Sequence, residues 1–241
     1  MSEQANSLRL DLAGPADALQ NVVTEVNLAS VASFHDFALV CETLGQTQSR
    51  LQIAEAAATF LAQLEVSEAE TAARFMVGRA LEQGDKRPNV SGRAVWKVVA
   101  SMVGGEDAGE DIFAAAADFG EAIEMLLRLR LPDPAPSLTI TEVGRALNEI
   151  AGMEGRNSRR KKLEALRALF ERASALEGKY LSKVLIGEMR HGMSEGLMLE
   201  ALARMVGRSA SEVRRMQMLE GDVGRTLRAL RMASSPSGAA S

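Results

Sequence analysis

The stretch VSGRAVWKVVASMVG, residues Val90–Gly104, returns later in the chain as MSEGLMLEALARMVG, residues Met193–Gly207. Five positions are identical in the two copies, including a serine at the second position and a glycine at the last. A serine before a periodic apolar segment and a glycine after it are the signals that begin and end an α-helix. The two stretches therefore predict the same helix twice.

A second match follows at almost the same spacing, with DFGEAIEML at Asp118–Leu126 and DVGRTLRAL at Asp222–Leu230. The offset is 103 residues in the first match and 104 in the second, so the register barely drifts. We interpret the chain as two copies of one helical unit, about residues 34–130 and 139–231. We expect the copies to pack about a pseudo-two-fold axis, which places equivalent corners on the same side of the domain.

The composition favours helices throughout. Aromatic residues make up only 4% of the 241 residues, while Ala, Leu, Met, Glu and Arg, which lose little entropy on entering a helix, are abundant. No segment shows a convincing period-two alternation, so a β-sheet is not expected. We predict an all-α fold, a multi-helix domain of two pseudo-two-fold-related helical repeats.

Cap signals define several helix boundaries. Ser33 and Gly45 flank the first strong helix, and SRRKKLEALRALFERASAL is predicted as one long helix whose apolar stripe runs as far as Leu176. Three pairs of residues have the spacing of a capping box: Ser67 with Glu70, Thr139 with Glu142, and Ser209 with Glu212. Each pair predicts a helix that begins directly after its serine or threonine.

We divide the chain into a partly disordered extension at residues 1–32, a helical domain at residues 33–232 and a flexible tail at residues 233–241. The N-terminus lacks the basic start and apolar run of a signal peptide, and no apolar stretch reaches the ~20 residues that span a bilayer. Cys41 is the only cysteine, which excludes an internal disulfide and fits a reducing compartment. We therefore expect a cytoplasmic protein without a membrane segment.

Charge is segregated along the chain. Residues 145–231 hold 18 Lys or Arg against 11 Asp or Glu, whereas residues 1–144 hold 10 against 21. The net charge of −4 hides this asymmetry. A basic half of this size favours a polyanionic partner, although segregated solvated helix faces would give the same pattern.

A basic turn lies inside the second copy. Gly187 and Gly192 flank Arg190 and His191, and Ser194 opens the next helix. Glycine lets backbone approach a sugar-phosphate closely, the N–H groups of a helix start attract anions, and arginine offers a planar fork for phosphate. We predict that this corner contacts a phosphate backbone, and a bare helix–helix corner is the alternative.

Two further groups of residues have similar chemistry. In the first copy, where Gly84 aligns with Gly187, the candidate residues are Gly84, Lys86, Arg87, Asn89 and Ser91. A helix start in the second copy carries four cations that oppose the helix dipole, and its candidate residues are Ser158, Arg159, Arg160, Lys161 and Lys162. A bound phosphate would explain this placement, and a solvated helix face is the alternative.

The residues favour one mode of nucleic-acid recognition over others. No aromatic residue interleaves the basic ones, so stacking of single-stranded bases is poorly supported, and no segment resembles a helix that reads the major groove. The two backbones of duplex DNA are themselves related by local two-fold axes, as the two corners would be. We therefore predict binding of duplex DNA through its backbone and minor groove, independent of sequence.

The second corner also resembles a known family. The segment GEMRHGMSE at Gly187–Glu195 is similar to the G-x-L-R-x-G-x-x-E corner in the N-terminal DNA-binding domain of ATP-dependent DNA ligases, with Met189 in place of the usual Leu. The resemblance runs from about Phe34 to Leu230 and includes the paired DFGE and DVGR turns. It is to the archaeal and eukaryotic-like type, which also occurs in bacteria.

The resemblance implies a pseudo-two-fold helical domain that binds nicked duplex DNA in replication, repair and recombination. It also implies phosphate contacts by Thr47, Ser49 and Arg50, although ordinary helix capping uses the same residue types. Family ligases form a lysyl-adenylate at a Lys-x-Asp-Gly motif, and none of the six lysines stands in that motif. We therefore expect no catalytic residue and no cofactor in this chain, whereas ATP and Mg²⁺ would serve a complete ligase.

The expected partners are nicked duplex DNA and catalytic ligase domains, in cis or in trans, with the chain a monomer associated with the nucleoid. A helical protein-interaction module without DNA binding is the alternative, because the first half is acidic and the total charge is low. A self-contained enzyme is the least favoured interpretation. His191 is predicted as a neutral surface histidine, or as a phosphate contact, rather than as a metal ligand.

Overall fold

The computed structural model describes residues 32–82, 88–104 and 109–234. In these ranges every regular element is an α-helix, and the one β-type contact is an isolated antiparallel bridge between Ser33 and Thr139. The predicted all-α fold is confirmed. None of the described helices is both long enough and apolar enough to cross a membrane.

The described ranges contain twelve helices, six on each side of a proline-rich connection at residues 131–138. The first six are α1 (Phe34–Leu44), α2 (Arg50–Gln63), α3 (Val66–Met76), α4 (Gly92–Val103), α5 (Gly109–Ala115) and α6 (Phe119–Leu127). The second six are α7 (Ile140–Gly152), α8 (Ser158–Arg172), α9 (Ala175–Ile186), α10 (Glu195–Val206), α11 (Ala210–Glu220) and α12 (Val223–Ser234). Of the predicted extension at residues 1–32, only residue 32 is described, and of the predicted tail at residues 233–241, only residues 233 and 234, which end α12.

The two halves interlock rather than stand side by side. The helix pairs α6 with α9, α12 with α3, α2 with α10 and α4 with α8 each join one half to the other. Where the halves meet, the Phe34 N–H donates to the Leu138 carbonyl over 2.8 Å, and the Ile140 N–H donates to the Ala32 carbonyl over 3.2 Å. A pseudo-two-fold axis would produce this reciprocal pattern, and the pseudo-two-fold relation of the halves stays a prediction.

The repeated stretch forms α4 and α10, with matching ends. Ser91 and Ser194 are the N-caps, and each hydroxyl accepts a backbone N–H three residues further on. Gly104 and Gly207 end the two helices with φ values of +64° and +65°, which glycine adopts without steric cost. The helix predicted twice from the sequence is therefore present twice.

Two of the three predicted capping boxes are confirmed, at the starts of α7 and α11. The third, at Ser67 and Glu70, is wrong, because α3 begins at Val66 and its cap residue, Glu65, makes no side-chain cap hydrogen bond. Glu70 is instead buried beside Arg74, whose Nη2 lies 3.5 Å from its carboxylate. An ionic contact in the interior thus replaces the predicted local bond.

The predicted long helix is wrong in its extent. α8 ends at Arg172, and Ser174 starts α9 with a complete capping box in which Glu177 is the reciprocal partner. The apolar stripe continues past this break as far as Leu176, because both helices pack on the same core. A continuous stripe therefore did not require a continuous helix.

One hydrophobic core runs through both halves. Phe34, Phe37 and Phe75 form an aromatic group inside it, with ring centroids 5.4 Å apart for the first pair and 5.9 Å apart for Phe37 and Phe75. Full burial of a side chain of this size contributes about 1.5–3 kcal/mol. This packing fixes α1 and α3, which support the candidate site.

Candidate nucleic-acid interface

The predicted basic corner connects α9 to α10. Gly187 ends α9 with a φ of +77°, and its N–H and that of Glu188 donate to the Lys183 carbonyl over 2.9 and 3.0 Å. Gly192 has a φ of +82°, and Ser194 caps α10. Both glycines hold conformations that other residues rarely adopt, so the corner has a defined backbone path.

Burial alternates along this corner. Met189, His191 and Met193 are buried, whereas the residues between them, Arg190 and Gly192, are exposed. The Arg190 side chain has 60% of its surface exposed, and its backbone is left-handed with a φ of +53°. Three buried side chains therefore hold the corner while it presents one arginine and one bare glycine to solvent.

The prediction of a surface histidine at position 191 is wrong. His191 is 3% exposed, its Nδ1 accepts the Met193 N–H over 3.4 Å, and its Nε2 has no hydrogen-bond partner among the described residues. Burial, together with the positive charge of Lys183, lowers the pKa of His191 to about 4, so the ring is neutral at pH 7. In the part of the chain that the structure describes, no group of His, Cys, Asp and Glu could hold a metal ion.

The structure brings the start of α2 next to this corner. A Cβ on Gly192 would lie 2.9 Å from Ile53 Cδ1, so the corner passes directly over the first turn of α2. The candidate residues Thr47, Ser49 and Arg50 precede and begin this turn. Residues from the first half and a corner from the second half thus form one continuous surface.

Ser49 has an ordinary capping role in this surface. Its hydroxyl accepts the Gln52 N–H over 3.4 Å, and Thr47 donates to the Gln52 side-chain carbonyl over 2.7 Å. Arg50 keeps 71% of its side chain exposed and lies 3.7 Å from Glu200, a distance too long for a strong ion pair at the surface. Ser49 thus caps α2, its predicted phosphate contact stays a prediction, and Arg50 remains accessible to an anion.

The first corner lies against the start of α8. Lys162 is half-buried and its Nζ donates to the Pro88 carbonyl over 3.2 Å. Asn89 follows with a left-handed φ of +56° and an exposed side chain, and Ser91 caps α4. A corner from the first half thus adjoins a helix start from the second, the reverse of the arrangement at α2. The candidate residues Gly84, Lys86 and Arg87 lie outside the described residues.

The start of α8, at Ser158, carries exposed cations. Arg159, Arg160 and Lys161 are all exposed. Arg160 lies 3.7 Å from a glutamate one turn further on, whereas Arg159 and Lys161 form no ion pair with any described residue. The N-cap residue, Asn157, makes no side-chain cap bond, so the backbone N–H groups of this first turn are not satisfied by their cap.

Left-handed backbone at residues other than glycine coincides with the candidate site. Within the described ranges such residues are Asn89, Asn157 and Arg190, and one lies in or next to each predicted group except that of Thr47, Ser49 and Arg50. This conformation costs an ordinary residue about 1–2 kcal/mol, and asparagine tolerates it best. Strain of this kind persists at functional sites because the surrounding packing enforces it.

Two buried ion pairs behind the corners were not predicted from the sequence. Lys183 of α9 lies 2.7 Å from Asp118, the N-cap of α6, and Arg74 of α3 lies 2.8 Å from Asp222, which precedes α12. Burial opposes ionisation of Asp118, but the hydrogen bond and charge of Lys183 outweigh it and lower the pKa of Asp118. The Asp-x-Gly turns were visible in the sequence, whereas their distant cationic partners carried no local signal.

The glycine that ends α3 is Gly78, six residues before the Gly84 of the sequence alignment. Gly78 has a φ of +73°, and the following N–H, of Arg79, donates to the Arg74 carbonyl over 2.9 Å, as the N–H after Gly187 does to Lys183. A Cβ on Gly78 would lie only 2.9 Å from the Gly187 carbonyl oxygen. The first residues of the two connections therefore touch backbone to backbone.

Comparison of the sequence with known proteins identifies a family. The family described as DNA ligase N terminus matches residues 33–203. A probable DNA ligase from Koribacter versatilis is 34% identical over 192 residues, which cover 79% of this chain and 33% of the relative. A DNA ligase from Methanoculleus marisnigri is 34% identical over 175 residues, which cover 71% of this chain and 32% of the relative.

A DNA ligase from Archaeoglobus fulgidus is 28% identical over 197 residues, 80% of this chain and 36% of the relative. The chain therefore spans about a third of the length of the curated relatives that it matches. The matched residues include the second corner and the starts of α2 and α8. They also include Lys183 and Arg74, the cations of the two buried ion pairs. The chain belongs to the DNA ligase N-terminal family.

Proposed function

We propose that this chain is the DNA-binding part of an ATP-dependent DNA ligase and binds duplex DNA, nicked duplex in particular, through backbone contacts across the minor groove. The observation that carries the proposal is the reciprocal pairing of two corners with two helix starts. The corner at residues 187–194 adjoins the start of α2, and the connection at residues 88–91 adjoins the start of α8. Two such surfaces, one from each side of a pseudo-dyad, suit the two strands of a duplex.

The chemistry of each surface suits phosphate rather than bases. Arg50 and Arg190 are exposed at the first surface, and Arg159, Arg160 and Lys161 at the second. Guanidinium groups and the N–H groups of helix starts bind phosphate oxygens well, and phosphate contacts carry no sequence information directly. Binding should therefore be independent of DNA sequence and should weaken as salt is raised.

Catalysis would belong to other domains. Curated relatives named DNA ligase are about three times as long as the aligned part, so this chain would supply affinity and placement while catalytic domains, in cis or in trans, use ATP and Mg²⁺. The setting would be replication, repair and recombination, with a monomeric chain at the nucleoid. The chain's own residues would hold the duplex and take no part in the chemical steps.

The test is fluorescence anisotropy of a labelled nicked duplex titrated with the chain at several salt concentrations. We expect log Kd to rise with log salt concentration by about 0.9 per phosphate neutralised, with equal affinity for unrelated sequences. Arg190→Glu should weaken binding strongly, since it places a negative charge on the exposed side of the corner. Arg214→Glu is the matched control, because Arg214 is exposed on α11, outside the predicted groups, and carries the same charge.

Failure of the chain to bind duplex DNA even at low salt would reject the proposal. An equal effect of the two charge reversals would show that only net charge matters and would remove the corner from the interface. A partner that binds by helix faces would be indifferent to Arg190→Glu, and that result would favour the protein-interaction alternative.

A further inference from the structure

Each half holds a buried cation at the same place relative to a helix end. Arg74 stands four residues before Gly78, and Lys183 stands four residues before Gly187. Their side chains are only 5% and 6% exposed, and each pairs with the aspartate of an Asp-x-Gly turn from the other half of the molecule. A buried charge requires such a partner, because desolvation of an unpaired one is costly.

The glycine of each Asp-x-Gly turn leaves the space that the side chain of the cation occupies. A Cβ on Gly120 would lie 2.4 Å from Lys183 Cε, and a Cβ on Gly224 would lie 2.7 Å from Arg74 Cζ. Each cation therefore crosses the first turn of the opposite helix at a point where only glycine leaves room. Sequence and geometry together define two equivalent cross-half ion pairs, Lys183–Asp118 and Arg74–Asp222.

The two cations differ in one respect. The Lys183 Nζ lies 3.4 Å from the Met189 carbonyl oxygen, inside the basic corner, as well as 2.7 Å from Asp118. The second contact of Arg74 is with Glu70, on its own helix. Among the described contacts, the lysine thus reaches a backbone group of the corner that it supports, and the arginine does not.

We infer that Lys183 is the positioning residue of the DNA contact made by the corner at residues 187–194. Its carbonyl accepts the N–H groups of Gly187 and Glu188 at the start of the corner, and its ammonium group holds the Met189 carbonyl one residue before Arg190. Asp118 fixes the ammonium group in turn. The inference rests on the proposed function and assigns Lys183 no contact with DNA.

The physical consequence concerns Arg190. Its left-handed backbone is unfavourable and needs support from neighbouring groups. The peptide bond that joins Met189 to Arg190 carries the carbonyl that Lys183 holds. Removal of the ammonium group releases this peptide, so Arg190 and the exposed backbone of Gly192 no longer keep their fixed geometry toward phosphate while the rest of the fold keeps its core.

The experiment compares Lys183→Met with Arg74→Met in the full chain. Both variants remove a buried cation from an equivalent ion pair, so both should lower the midpoint of thermal unfolding. We expect Lys183→Met to weaken binding of the nicked duplex about tenfold and to make the salt dependence shallower by about 0.9 for each phosphate that is no longer neutralised. Arg74→Met should bind within about twofold of the unaltered chain with an unchanged salt dependence, because the Arg74 side chain contacts Asp222 and Glu70 and no backbone group of the corner. Its loss therefore leaves the number of phosphates neutralised unchanged.

Equal changes in affinity and salt dependence for the two variants, measured where circular dichroism shows both folded, would overturn the inference. Unchanged binding by Lys183→Met would overturn it as well. Both results presuppose that the unaltered chain binds DNA. Absence of that binding would instead reject the proposed function, so the two failures are distinguishable.

A milder pair of variants covers the case in which the methionine variants do not fold. Gly120→Ala and Gly224→Ala keep every charge and displace the lysine or the arginine by contact with the new methyl group. We expect Gly120→Ala to reduce DNA affinity more than Gly224→Ala and to make its salt dependence shallower. No difference between the two would contradict the inference.

Discussion

The connections that follow α3 and α9 begin and end alike but differ in between. Each begins at a left-handed glycine, Gly78 or Gly187, and each ends at an N-capping serine, Ser91 or Ser194. Six residues separate glycine from serine in the second connection and twelve in the first. The helix ends are alike in the two halves, whereas the length of the connection is free to differ.

The described parts of the two connections are held in different ways. Alternate side chains of the shorter connection, at Met189, His191 and Met193, are buried in the core and fix its path. In the described part of the longer connection, Ala80, Leu81 and Pro88 are buried, and Arg79 pairs with Glu195 over 2.7 Å. Lys162 of another helix also donates to the Pro88 carbonyl. Because the second corner presents an exposed arginine, Arg190, we expect it to dominate DNA affinity, and substitutions in the two connections can test this difference.

The largest expected effect concerns the contact between the two connections. Gly78→Ala forces an unfavourable φ and places a methyl group 2.9 Å from the Gly187 carbonyl oxygen, a backbone atom that cannot easily move. We expect the free energy of unfolding to fall by about 3 kcal/mol, from about 1–2 kcal/mol for the conformation and the rest for the clash. Urea denaturation monitored by circular dichroism measures the change.

Gly207→Ala is the control for the conformational part. Gly207 has a φ of +65°, but a Cβ there would meet nothing within 4 Å. Its substitution should therefore cost only about 1–2 kcal/mol. Equal losses of stability for the two variants would mean that the close contact between the two connections adds nothing to the cost of the Gly78 substitution.

The second prediction concerns the buried histidine of the shorter connection. Burial lowers the pKa of His191 to about 4, against an ordinary value of 6.5, so the unfolded chain binds more protons between these two pH values. The stability that neutral His191 contributes is complete above pH 6.5 and is lost as the pH falls toward 4. The loss amounts to roughly 3 kcal/mol.

Urea denaturation at a series of pH values from 7 to about 4 measures this loss. His191→Asn keeps a hydrogen-bond acceptor but no titrating ring, so its stability should change less over the same range. A variant profile parallel to that of the unaltered chain would place the pH dependence elsewhere, and the histidine would not be the feature that distinguishes this corner.

Local signals explain which parts of the fold were predictable. Ser91, Ser194, Gly104 and Gly207 were identified because a cap requires only the residues within one turn of it. The break before α9 also had a local signal, the capping-box spacing of Ser174 with its glutamate, but the continuous apolar stripe concealed it. Fold class and most helix starts thus follow from short-range chemistry.

The misassigned features depend on contacts that are distant in sequence or on a non-helical path. His191 was predicted at the surface because an irregular corner has no helical period from which burial can be read. The left-handed residues on either side of it, Arg190 and Gly192, accompany the alternating burial of this corner. Lys183 and Asp118 are 65 residues apart, and Arg74 and Asp222 are 148 apart, so no spacing rule connects them. The candidate basic residues could be named from the sequence because exposed charges need no partner to be recognised, and their role stays a prediction.

The third prediction compares the two corners directly in DNA binding. Arg190→Gly and Asn89→Gly both remove an exposed side chain and keep a residue that accepts a positive φ. We expect Arg190→Gly to weaken binding about tenfold and to make the salt dependence shallower by about 0.9, because one phosphate is no longer neutralised. Asn89→Gly, which removes no charge, should change affinity by about twofold at most.

Anisotropy titrations of one nicked duplex with both variants, at two salt concentrations, make the comparison. A larger decrease in affinity for Asn89→Gly would reverse the ranking of the corners. The longer connection, with its cluster of cations at α8, would then be the principal contact.

The smallest expected effect separates a structural tie from a charge. Lys161 and Lys162 are neighbours at the start of α8, but only Lys162 donates to Pro88, while Lys161 is exposed and forms no ion pair with described residues. Lys161→Met removes one charge, and Lys162→Met removes the same charge together with the tie to the first corner. We expect DNA affinity to fall about twofold for the first and about fourfold for the second. Identical decreases would show that the bond from Lys162 to Pro88 contributes nothing to DNA binding. The longer connection would then take its position from its own buried residues, among them Ala80, Leu81 and Pro88.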